Sequence, residues 1–281
     1  MSRLVIEAEH AESAYWSDLW RYRELFFFLS WRDILVRYKQ TVIGVAWALI
    51  RPALTIAIFT VIFGKLAKMP SGGFPYPVLV CAGNLPWQFF STAMSEASNS
   101  LISNSNMLSK VYFPRIIVPA SAVIVSFVDL LISLVILAAL MAWYHVMPTW
   151  RLCTLPLFTA LGLFAALGVG FWLSALNVKY RDFRYIIPFV VQLGIYISPV
   201  GFASAAIFQR LFDLKSGEIL YALYLLNPMV GVIDGFRWAI EGPAAGMDWI
   251  SVAVSVLVVA LITISGLRYF RATEETFADI I

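Results

Sequence analysis

Charge is scarce in this chain. Asp, Glu, Lys and Arg make up 13% of its 281 residues, where an average globular chain carries about 25%. Hydrophobic residues reach 61%, and one soluble core of this length cannot hide so much apolar surface. A water-soluble enzyme or binding domain is thereby excluded, and an all-α polytopic membrane protein is expected. The net charge of +3 gives no case for a nucleic-acid partner and is compatible only with contact to anionic lipid headgroups. Cysteine and histidine are nearly missing. Cys81 and Cys153 are too few for a disulfide framework or a four-ligand metal site, and both are read as small buried hydrophobes. His10 and His145 lie far apart in sequence, which leaves a histidine metal site without support.

Chemical motifs are missing too. There is no G-x-x-x-x-G-K-[ST] phosphate loop, so no ATP site of that kind. There is no G-x-S-x-G and no paired carboxylate within an apolar run. Asp182 beside Arg181 is the nearest approach to a catalytic constellation. The first 24 residues hold Glu7, Glu9, Glu12, Asp18 and Glu24 with no apolar run before them, which is not the pattern of a signal peptide. No internal repeat is visible.

What the chain does have is long apolar segments. Six approach or exceed the roughly 20 residues needed to cross a bilayer: Ile43 to Phe63, Tyr76 to Ala97, Ile116 to Trp143, Leu155 to Leu176, Tyr185 to Phe202, and Ile250 to Leu267. An even number puts both termini on one side. Lys and Arg in the connections are about twice as frequent on that side, which makes it cytoplasmic. Between Gly201 and Trp249 lie two shorter apolar pieces, SAAIFQRLF and GEILYALYLLNPMVGVIDGFRWAIEG. Both are expected to be re-entrant or interfacial helices. Asn227-Pro228 signals a helix start and Gly242-Pro243 a stop.

Residues 14–36 combine Trp16, Trp20, Trp31 and Phe26 to Phe28 with Arg21, Arg23 and Arg32. That mixture suits a helix lying in the headgroup plane, with Ser17-Asp18 as its start. The following stretch, 31–52, passes from charged to apolar. Asp33 and Arg37 are spaced for an i, i+4 pair. Gly44, Trp47, Ala48 and Arg51 share one face, which is unusual for a face meant for lipid. Two ionisable residues fall inside spans, Arg51 just before the kink expected at Pro52 and Asp129 between Ser126 and Ser133. Such residues face a bundle interior or a watery path by default. Glu96 is expected near the cytoplasmic interface. Gly162, Ala166 and Gly170 form a small-residue ridge for close helix packing.

Three stretches together resemble the membrane subunit of a type-2 ABC exporter of the polysaccharide branch: RDILVRYKQTVIGVAWALIRP at 32–52, NVKYRDFRYIIPFVVQLGIYISPVGF at 177–202, and LLNPMVGVIDGFRWAIEG at 225–242. The resemblance implies a six-span subunit working as a homodimer in the bacterial inner membrane. Two separate ATPase subunits would bind the ATP and Mg, with no cofactor in this chain. It implies a cytoplasmic N-terminal region (1–40) with an interface helix at 14–36, a transmembrane domain (41–270) and a cytoplasmic tail (271–281). The loop 99–115 becomes the ATPase coupling segment, with Asn104, Lys110, Tyr112, Phe113 and Arg115. The loop 177–184 adds Tyr180, Arg181 and Asp182. Helices within 203–247 become the external gate, with Asn227, Pro228, Phe236 and Arg237.

The implied substrate is a glycan on a polyprenyl diphosphate, of O-antigen, capsule or teichoic acid type. Its anionic head would meet Arg37, Lys39 and Arg51, with Trp47 and Asp129 along the path or at its gate. The competing readings are an exporter of drugs or small lipids, an ATP-independent flippase or channel, and a membrane glycosyltransferase or acyltransferase. The last is disfavoured by the missing carboxylate or histidine constellation.

Overall fold

A computed structural model describes residues 12–39, 45–204, 217–242, 246–274 and 276–277, and every regular element among them is helical. The amphipathic region forms two successive helices, α1 (Glu12–Arg21) and α2 (Arg23–Lys39). Backbone bonds from Tyr22 to Asp18 and from Phe26 to Tyr22 run through their junction. Ser17-Asp18 therefore sits inside α1 and does not begin it, because the helical bonding starts earlier. Trp20, Phe27, Phe28 and Trp31 are exposed, while Leu29 is buried with Leu25 and Phe26 against it. The two faces are those of a helix with one side on protein.

The first long apolar helix is α3 (Val45–Phe59), with Pro52 inside it. It widens over Thr60–Leu66 into π-type turns, ending with Ala67 donating to Ile62. Gly44 lies outside the described residues. Next come α4 (Tyr76–Ser103), the short α5 (Ser105–Leu108) and α6 (Ile117–Trp143). A tight turn at Trp150–Thr154 leads into α7 (Leu155–Lys179), followed by α8 (Phe183–Ile197). The bent pair α9 (Gly217–Leu225) and α10 (Pro228–Glu241) and the final α11 (Trp249–Glu274) complete the order.

Among the described residues four helical segments are long and apolar enough to cross a bilayer: Ala46–Leu66, α6, Trp150–Lys179 and α11. The pair α9 and α10 qualifies only as one broken span, bent by 80°. Two expected spans differ from the pattern. With 28 residues, α4 is about 42 Å long, but it carries Asn84, Gln88, Ser91, Thr92, Ser95 and Glu96. Its polarity is tolerated because α3, α6, α7 and α10 surround it, so most of its surface meets protein and not lipid. The segment expected from Tyr185 to Phe202 falls in α8, a helix of only 15 residues that ends at Ile197. The piece SAAIFQRLF lies almost wholly outside the described residues.

Close packing is built on small residues. Gly162 and Gly170 of the expected ridge pack at α10 and α4: a Cβ on Gly162 would meet Val232 at 3.5 Å, and one on Gly170 would meet Ala97 at 2.9 Å. The closest approach of a glycine to another helix's backbone is elsewhere. A Cβ on Gly266 of α11 would collide with the Gly168 carbonyl of α7. Of the two cysteines, Cys81 is buried but Cys153 is exposed, because the turn at Trp150–Thr154 lies on the surface.

Candidate functional site

A polar cavity of about 270 Å³ lies where the end of α2 meets α3, α4 and α6. Four of the residues singled out from sequence line it: Arg37, Trp47, Arg51 and Asp129. Tyr38 and Gln88 join them. Lys39 does not reach it and is exposed at the end of α2. The helical spacing of Trp47, Ala48 and Arg51 explains why one face of α3 supplies three lining residues.

The ionic order in the cavity differs from the expected one. Arg37 does not pair with Asp33. Its guanidinium reaches Asp129 Oδ2 at 3.1 Å and Glu96 Oε1 at 3.3 Å, tying α2 to both α6 and α4. Asp33 is taken by Arg32 at 2.7 Å, and Arg32 also donates to Asn104 Oδ1 at 3.0 Å. Tyr38 donates to Asp129 as well. Burial, followed by the Asp129 carboxylate, holds the Tyr38 phenol above its ordinary pKa, so it stays a donor. Asp129 is thus the acceptor for two neighbouring side chains of α2. Among the described residues Ser126 bonds only within its own helix, to Ala122. Arg51 has no carboxylate within ion-pair distance among the described residues, which makes it the cation of the cavity best placed to take an external anion. Glu96 and Tyr38 were not among the site residues read from sequence; their only signal there was position at a span end.

A second polar hub lies at the α2 end of the bundle. Glu274, at the close of α11, accepts from the Arg115 backbone N–H at 2.5 Å and from the Tyr15 hydroxyl at 2.9 Å. The Arg115 guanidinium also donates to the Glu274 carbonyl. One carboxylate therefore joins α1, the loop before α6 and α11, and nothing in the local sequence announces it. In the loops expected to meet a partner, Lys110, Tyr112, Tyr180, Arg181 and Asp182 are exposed. Phe113 is not: it is buried with Ile116, Phe171 and Phe270, so it anchors the loop instead of presenting a contact. Asn104 caps the end of α4 and donates to the Ser100 carbonyl.

At the opposite end, Asn227 caps α10 by accepting from the Met229 N–H at 3.0 Å, with Pro228 at the first turn. It also donates to Ser198 Oγ at 2.9 Å. Phe236 and Arg237, expected at a gate, are buried in the bundle. Arg237 donates to the carbonyls of Phe202 at 2.7 Å and Val200 at 3.0 Å. These carbonyls are exposed by the break after α8, and burial of a guanidinium is tolerable only with such partners. Asp234 lies one turn before Arg237 and accepts from Ser204 at 2.6 Å.

Apolar helices long enough to cross a bilayer, packed around a cavity with charged lining, mark a multi-pass membrane protein. The chain belongs to the ABC-2 type transporter family, whose model matches residues 24–240. It is similar to the O-antigen export system permease protein RfbA of Myxococcus xanthus, at 26% identity over 94% of this chain and 98% of that protein. It is similar also to RfbA of Klebsiella pneumoniae, at 26% identity over 89% of this chain and 92% of that protein. The polysialic acid transport protein KpsM of Escherichia coli matches at 24% identity, over 87% of this chain and 91% of that protein.

Proposed function

We propose that this chain is the permease subunit of an ATP-driven exporter that carries lipid-linked polysaccharide out of the cytoplasm, of the O-antigen, capsule or teichoic acid type. The observation that carries this reading is the nearly full-length similarity to permeases named for O-antigen export, within a family whose model spans residues 24–240. The subunit sits in the bacterial inner membrane, with six crossings and both termini cytoplasmic. It works as a homodimer beside two ATPase subunits that hold ATP and Mg. It is not itself an enzyme.

In this reading the diphosphate of a polyprenyl-linked glycan approaches Arg51. A planar guanidinium matches a phosphate through two parallel hydrogen bonds. Arg37, already held by Glu96 and Asp129, positions α2 against the spans and balances the two carboxylates that would otherwise repel the head. The exposed loop residues Lys110, Tyr112, Tyr180, Arg181 and Asp182 form the ATPase dock. The bent α9–α10 pair, pinned by Arg237, forms the outer gate.

Co-purification from a strain carrying the native operon tests the reading. An ATPase subunit is expected to come down with the chain, and deleting the chain should leave the glycan inside the cell. A chain that moves glycan with no ATPase present would instead be an ATP-independent flippase.

A further inference from the structure

A second cleft, of about 450 Å³, opens where α1 lies against the end of α11. Its lining is divided by chemistry. Ile264 and Leu267 supply an apolar floor towards the middle of α11, Arg268 and Arg271 follow at the polar end, and Trp16 of α1 forms the facing wall. The wall is held in place: Tyr15 donates to Glu274 at 2.9 Å, and the Arg271 guanidinium lies 4.5 Å from the centre of the Tyr15 ring. The Glu274 carboxylate accepts from the Arg115 N–H and the Tyr15 hydroxyl and also lies in the field of Arg271, so it offsets part of that charge and leaves Arg268 as the cation that governs the cleft. Arg268 is exposed, with no carboxylate in ion-pair range among the described residues.

A ligand that satisfies this lining needs an anionic group for the arginines and an apolar extension for Ile264 and Leu267. It must also be present where an apolar helix leaves the bilayer. We propose that the cleft seats the phosphate headgroup of an anionic phospholipid, with an acyl chain lying along Ile264 and Leu267. Basic pockets beside membrane helices take such headgroups, the guanidinium geometry matches a phosphodiester, and Trp belongs at headgroup level. A choline headgroup would bring its own positive charge towards Arg268 and Arg271, so the seat discriminates by charge. A lipid bound there bridges α1 to α11 and reinforces the Tyr15–Glu274–Arg115 hub. The seat needs only a bilayer around the chain and is independent of the cargo.

The test uses the full chain in nanodiscs of equal phosphatidylglycerol and phosphatidylcholine, with retained lipids counted by native mass spectrometry. Retention of phosphatidylglycerol over phosphatidylcholine is expected, falling about fivefold in Arg268→Ala, the loss expected from one surface cation, and largely restored in Arg268→Lys. Inorganic diphosphate at millimolar concentration should not displace the lipid. Equal retention of the two lipids, or unchanged retention in Arg268→Ala, would overturn the assignment. Displacement by diphosphate would overturn it too, marking a site for soluble anions. If Arg268→Ala does not fold, Arg268→Gln and the diphosphate competition decide the matter on folded protein.

Discussion

The Ser133 hydroxyl of α6 reaches the backbone carbonyl of Ala48 in α3 at 3.2 Å and the Asp129 carbonyl of its own helix at 2.8 Å, and shares its one proton between them. Ala48 is four residues before Pro52, and proline has no N–H to give that carbonyl. In a bilayer every backbone acceptor needs a partner inside the protein. A side chain of the neighbouring span thus supplies what the helix lacks, at the point where α3 passes the cavity.

Ser133→Ala should therefore lower thermal stability in detergent, by about 1–3 kcal/mol, the cost of an unsatisfied buried acceptor. In a Pro52→Ala background the same change should cost far less, because an alanine in place of Pro52 restores the intrahelical donor. Equal losses in both backgrounds would mean that the bond has no such role.

The Arg37 bracket makes a non-additive prediction. Arg37→Ala strands Glu96 and Asp129, whereas Asp129→Asn removes one charge and leaves Arg37 to Glu96. Both groups are partly exposed, with side-chain exposures of 28% and 23% for Arg37 and Asp129, so the direct pair is worth only about 1 kcal/mol. The double variant should be less destabilised than the sum of the singles, read from melting curves of all four proteins.

Arg51→Ala should abolish most export while recovery of the chain from the membrane stays normal. Arg51→Lys should restore export only in part, since an ammonium lacks the two-pronged match to a phosphate. Surface glycan measured in a complemented deletion strain reads both. Full export with alanine would remove Arg51 from the path.

Packing at the α7–α11 crossing predicts a contrast between glycines. Gly266→Ala drives a methyl into the Gly168 carbonyl, while Gly162→Ala finds its nearest neighbour at 3.5 Å. The first should depress the melting temperature strongly, at a cost of about 1–3 kcal/mol for overpacking. The second should leave it nearly unchanged.

The fold was legible wherever a segment faces lipid. The runs at 43–63, 116–143, 155–176 and 250–267 announce α3, α6, α7 and α11, because a lipid-facing helix must be apolar over its whole length. Legibility faded in the middle of the bundle: α4 meets protein on most sides and keeps Asn84 and Gln88, so composition alone understates how deep it lies. The break after α8 was equally hidden, because Val200 and Phe202 read as apolar and it is Arg237, 35 residues beyond Phe202, that closes their carbonyls. At the site, spacing placed Trp47 and Arg51 on one face, yet it misassigned the partner of Arg37. Periodicity says which residues share a face and nothing about which helix comes to meet it. Glu96 lies 59 residues from Arg37 and Glu274 lies 259 from Tyr15, distances over which local sequence is silent.

The polarity of α4 also bears on how the chain is made. A nascent chain halted at Ser103 would present a segment carrying Asn84, Gln88 and Glu96 with neither α6 nor α7 yet synthesised. Its partition into lipid from the translocation channel would be poor, since membrane insertion weighs each polar side chain against the hydrocarbon. Biogenesis must then retain α4 beside the channel until later helices arrive to shield it: in fragments ending near Ser103, anchored by Ala46–Leu66, α4 should be open to added protease, and in those ending beyond Lys179 it should not.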